Sequence, residues 1–121
     1  LNKIIKMKNN ITNPFPYIQK SSFFILSSIY EGLPNVLLEA LSLKKYVISS
    51  DCPTGPKEIL MNGKGGSLFK TGNSQDLLKK IESVIQNKTQ IKKKVSISYK
   101  SLHRFDEKKN LEKYFNLLKK F

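Results

Sequence analysis

Two carboxylates, Glu31 and Glu39, stand eight positions apart in the stretch SSIYEGLPNVLLEAL, residues 27–41. A Gly32-Leu33-Pro34-Asn35 turn lies between them, and a mainly apolar run begins at Val36. Ionised carboxylates only accept hydrogen bonds, so a pair of them suits gripping the hydroxyls of a sugar. Pro34 favours a helix start, because its fixed φ fits the first turn. The N–H groups that a first turn leaves unpaired, here those of Asn35, Val36 and their neighbours, can hold a phosphate at the positive helix end. Gly32 offers either a positive φ or close approach of a ligand to the backbone. One molecule would satisfy the whole stretch: a sugar at Glu31, a diphosphate at the helix start and a second hydroxylated ring near Glu39. The plainer alternative is that Glu31 complements the helix dipole and Glu39 is a surface residue satisfied by water.

Elements that would position this stretch can be read on both sides of it. Phe23-Phe24-Ile25-Leu26 is a continuous apolar run, as expected of a strand buried on both faces of a parallel sheet. The turn would then sit at the carboxyl end of that strand, where ligands of open α/β sheets bind. Tyr46-Val47-Ile48 repeats the strand signal, and Ser67 to Phe69 gives a shorter one after the turn at Gly63, Gly65 and Gly66. A strand is also expected at Ile4, Ile5 and Met7. Helices are expected from Asn13-Pro14-Phe15-Pro16 to about Lys20, over Lys57 to Leu60, from Ser74 with Asn73 or Ser74 as cap, and beyond Asn87 to about Tyr99. Leu77, Leu78, Ile81, Val84 and Ile85 make one stripe of the helix from Ser74. A last helix, about 103–120, carries Leu111, Tyr114, Phe115 and Leu118 at helical spacing among Lys108, Lys109, Lys113, Lys119 and Lys120. Basic amphipathic helices can lie on membranes, but docking on the helix's own domain is the expectation here. Alternating strands and helices predict an α/β fold, an open parallel sheet flanked by helices.

The 121 residues suffice for one core, so a single domain over 1–121 is expected. The 22 Lys and Arg against 9 Asp and Glu give a net charge of +13, which would concentrate any polyanion around the chain. Arg104 is the only arginine, and base-specific DNA readout leans on arginine forks, so specific nucleic-acid recognition is disfavoured. A basic module for nucleic acid or anionic membrane is the alternative reading of the charge. His103 is the only histidine and Cys52 the only cysteine, which excludes an internal disulfide and leaves no zinc set. A Cys52–His103 dyad has no supporting catalytic pattern. Tyr30, beside Glu31, either packs or lines the cleft, packing being the expectation, and the Thr54-Gly55-Pro56 turn is expected to line the cleft.

With its neighbours, the opening stretch resembles the glycosyltransferases of family 4, the glycosyl transferases group 1. EGLPNVLLEAL carries the family's Glu-x7-Glu motif at Glu31 and Glu39, preceded by NPFPYIQKSSFFILSS and followed by YVISSDCPTGPKEIL and GKGGSLFKTGNSQDLLKKI in the family's order. The resemblance covers about residues 12–88. It implies a Rossmann-like, partial carboxyl-terminal domain of a GT-B fold that binds a nucleotide sugar, as a rule a UDP-sugar. It implies hexosyl or N-acetylhexosaminyl transfer with retention, without an essential metal or other cofactor, to a glycan or lipid-linked acceptor in cell-surface polysaccharide synthesis. Glu31 would contact the donor sugar as the catalytic acid residue of the motif; Gly32, Leu33, Pro34, Asn35 and Val36 would approach sugar and diphosphate; Glu39 would hold the ribose. The family's basic pair for the diphosphate and its acceptor-binding domain lie upstream of the matched region, so the chain is expected to be a fragment, inactive alone. A cytoplasmic setting, peripheral on the inner face of the membrane, goes with this resemblance.

Overall fold

Three short apolar runs pair into one parallel sheet: β1 (Phe23–Leu26), β2 (Tyr46–Ser50) and β3 (Ser67–Phe69), in the order β1-β2-β3. The computed structural model describes residues 4–120, apart from the side chains of Lys109, Asn110, Lys113 and Tyr114. Phe24 pairs with Val47 and Ile25 with Ile48 on one side of β2, and Ile48 with Ser67 and Ser50 with Phe69 on the other. All five residues of β2 are buried, so β2 is the strand enclosed on both faces. The expectation that Phe23–Leu26 would be that strand is corrected. β1 pairs only with β2, its other side is unpaired among the described residues, and Ile25 is 36% exposed.

Side chains alternate along each strand and so feed two layers. On one face Phe24, Leu26, Val47 and Leu68 meet α1 (Phe15–Lys20), α2 (Asn35–Ser42) and α3 (Pro56–Ile59), around the buried Ile18, Leu37, Leu41 and Ile59. On the other, Phe23, Tyr46, Ile48 and Phe69 meet Leu77, Ile81 and Val84 of α4 (Ser74–Gln86) and Ile91 and Val95 of α5 (Lys88–Ser101). The Asn73 side chain accepts from the Asp76 N–H at 2.9 Å and caps α4. A 3-10 turn, Leu102–Phe105, then leads to α6 (Glu107–Leu118).

Two further expectations fail. Residues 5–9 have no regular structure, and Ile4, Ile5 and Met7 are exposed, because these apolar residues find no neighbouring strand among the described residues. Among the described side chains, the apolar side of α6 is not docked on this domain: Leu111, Phe115 and Leu118 are all more than half exposed, and the Tyr114 side chain lies outside the described residues.

Candidate functional site

The stretch between the two acids follows the carboxyl end of β1. From Ser27 the chain leaves the sheet and passes through a bent segment to Pro34, the residue that caps α2. Pro34 has φ −74° and ψ 97°, so the helix begins one residue later than its proline suggests. Leu37, Ala40 and Leu41 anchor α2 in the core. Asn35 and Glu39, four residues apart, share the opposite face.

The mouth of α2 is left open. No side chain caps it and its first turn holds no acidic residue. The Leu37 N–H reaches the Pro34 carbonyl, and no hydrogen bond from the Asn35 or Val36 N–H occurs among the described residues. α4 shows the contrast: Asn73 caps it, and Asp76 supplies first-turn negative charge. Glu31 does not serve as the cap of α2. Its Oε1 accepts a hydrogen bond from Ser28 Oγ at 2.7 Å, which places the carboxylate back toward the strand end. The Glu39 carboxylate, half-buried, engages no hydrogen bond or ion pair among the described residues. A carboxylate so placed is satisfied by water or by a ligand.

Gly32 is exposed, its φ is not in the left-handed region, and a Cβ there would meet nothing within 4 Å. Of the two alternatives for Gly32, positive φ is therefore excluded, and open space beside the backbone remains as the property that glycine adds. Gly55, in the loop that packs against this turn, is left-handed instead, at φ 78°. A Cβ on Gly55 would lie 2.1 Å from the Gly32 carbonyl oxygen and 2.7 Å from Pro34 Cδ. Loop 51–55 thus packs directly beneath the turn. Leu33 and Asn35 are exposed, Pro34 buried and Val36 half-buried.

Other residues fall elsewhere. Tyr30 is 75% exposed, so its expected packing is corrected. A hollow of about 650 Å³ is lined by Thr54, Gly55, Lys57, Glu58 and Arg104, among others, but by neither acid, and neither lines any of three smaller hollows. Lys57 pairs with Asp51 at 3.5 Å. Cys52 is buried, whereas His103 is exposed and its ring Nδ1 lies 2.7 Å from the Lys100 carbonyl, so no dyad forms. Among the described residues no group of three or more His, Cys, Asp and Glu could hold a metal ion, and no helix is long and apolar enough to cross a membrane. Sequence reasoning missed the hydroxyls of Ser28 and Ser50. For Ser28 a signal existed in the Ser-x-x-Glu spacing of a local turn.

The model of the glycosyl transferases group 1 matches residues 1–104. An uncharacterized glycosyltransferase of Methanocaldococcus jannaschii is 48% identical over 66 residues, 50% of this chain and 16% of that protein. The lipopolysaccharide 1,6-galactosyltransferase of Salmonella typhimurium is 37% identical over 68 residues, 56% of this chain and 19% of that protein. Both matches span less than a fifth of the relative's length. In fold, the chain is similar to the carboxyl-terminal domain of a glycosyl transferase group 1 family protein from Francisella tularensis, with a TM-score of 0.68 and 23% identity, covering 84% of this chain and 51% of that one.

Proposed function

The chain belongs to the glycosyl transferases group 1 and forms a Rossmann-like, partial carboxyl-terminal domain of the GT-B fold, and from this footing we propose that it is the donor-binding part of a retaining glycosyltransferase. The donor is a nucleotide sugar, in our reading a UDP-sugar. Its hexosyl or N-acetylhexosaminyl group passes to a glycan or lipid-linked acceptor during synthesis of a cell-surface polysaccharide such as lipopolysaccharide. The name of the Salmonella relative supports that setting. The work is done on the cytoplasmic side, peripheral to the membrane, and needs no essential metal.

One observation carries the reading: the uncapped mouth of α2, with the unpartnered Glu39 one turn along it and Glu31 before it. The free N–H groups of Asn35 and Val36 face the diphosphate, Glu31 takes sugar hydroxyls and Glu39 the ribose. Transfer breaks the bond between the anomeric carbon and the diphosphate, and an acceptor oxygen takes its place. Negative charge grows on the departing diphosphate, and fixed N–H dipoles stabilise it without having to reorient. Gly32 leaves room for the sugar to approach the backbone.

Ligand-detected NMR with UDP-, GDP- and ADP-sugars tests this. Weak binding that discriminates among sugars is expected, and both Glu31→Ala and Glu39→Ala should abolish it. The competing reading, a basic module for nucleic acid or anionic membrane, draws on the +13 charge. It requires affinity for any polyanion that falls steeply with salt and ignores both glutamates. The 121 residues alone should transfer no sugar; efficient turnover by them would overturn the view that further protein completes the site.

A further inference from the structure

We propose that Ser28 and Thr54 are positioning residues that aim Glu31, and that they thereby set how strongly the donor's sugar is held. The proposal rests on the donor-site reading above and adds which groups make that site selective. Glu31 is held at both of its ends. Ser28 Oγ donates to the carboxylate at 2.7 Å, and Thr54 Oγ1, from the loop beneath, donates to the Glu31 main-chain carbonyl at 2.8 Å. A third hydroxyl, Ser50 Oγ, donates to the Ser28 carbonyl at 2.5 Å and ties the start of the segment to the fully buried central strand. Three hydroxyls from two consecutive strand ends therefore fix the four residues 28–31, which have no helix or sheet bonds of their own.

The loop that brings Thr54 into reach is built for that contact. Thr54 has φ 61° and Gly55 φ 78°, two successive left-handed residues, and β-branched residues adopt that region only where the surroundings enforce it. The pair carries the chain under the turn so closely that Gly55 has no room for a side chain against Gly32 and Pro34. Ser28 occupies Oε1 of Glu31, and no hydrogen bond to Oε2 occurs among the described residues, so one carboxylate oxygen remains for a sugar hydroxyl. A freely rotating glutamate would have to be ordered on binding; this one is ordered beforehand.

The test uses the full-length protein and whichever nucleotide sugar the wild type binds from a set of UDP-, GDP- and ADP-linked hexoses and N-acetylhexosamines, with its matching nucleoside diphosphate as the sugarless partner. Ser28→Ala and Thr54→Val should each weaken the nucleotide sugar roughly 5- to 10-fold, and leave the diphosphate within about twofold. Ser28→Thr and Thr54→Ser, which keep the hydroxyl, should restore the difference. Amide resonances of Glu31, Gly32, Leu33 and Asn35 should move in the alanine and valine variants while those of β2 stay. If sugar and sugarless ligands weaken together, or neither weakens, or the hydroxyl-bearing variants fail to rescue, the positioning role is refuted while the donor site stands. If the wild type binds none of that set, the donor-site reading fails and this proposal falls with it.

Discussion

Tyr46 is 3% exposed, and its hydroxyl shares a 2.5 Å hydrogen bond with Ser67 Oγ across the β2–β3 pair. Burial pushes the phenol above its ordinary pKa, and the Ser67 bond works in the opposite direction to a smaller extent. The folded phenol therefore keeps its proton at a pH where the unfolded one loses it. Its contribution is fully present below about pH 10 and is lost as pH rises through the folded value. Tyr46→Phe should cost about 1 kcal/mol near neutral pH, read by urea denaturation, and should flatten the fall in stability above pH 10. At this scale legibility followed sequence distance. Glu31 and Glu39 could be singled out because the turn and helix start between them lie in one short stretch of sequence. Thr54 and Ser50 were not readable as partners of the turn, because each acts on backbone 22 or 23 residues away.

Among the elements, α4 and α2 put the same physics to opposite ends. At α4, Asn73 satisfies the Asp76 N–H, and the Asp76 carboxylate accepts from the Lys70 N–H at 2.7 Å, so the helix start is closed. Asn73→Ala should destabilise the fold by about 1 kcal/mol, measurable as a lower thermal midpoint. Asn35→Ala, in a helix that lacks a side-chain cap, should leave stability nearly unchanged. The α4 stripe and its cap were plain in the sequence. The last residues of α5 were less so, since serines, Ser98 and Ser101, occupy its buried positions and blur the hydrophobic period. The strand expected at Ile4–Met7 failed for a different reason: β-propensity describes a fit to neighbouring strands, and none lies beside it among the described residues.

For the molecule as a whole, the sheet order leaves one flank of β1 without strand partners among the described residues, next to exposed Ile25 and to a hollow of about 390 Å³ lined by Phe23, Val84, Ile85 and Ile91. Ile25→Lys should raise the concentration at which the 121 residues stay monomeric by light scattering, and in the full-length protein it should disturb folding if further protein covers this flank. Unsatisfied main-chain groups along a short oily ribbon recruit any extended peptide that drifts past. Left by itself in a tube, this chain should clump through that ribbon, so clouding during purification would report a raw seam and not a misfolded interior.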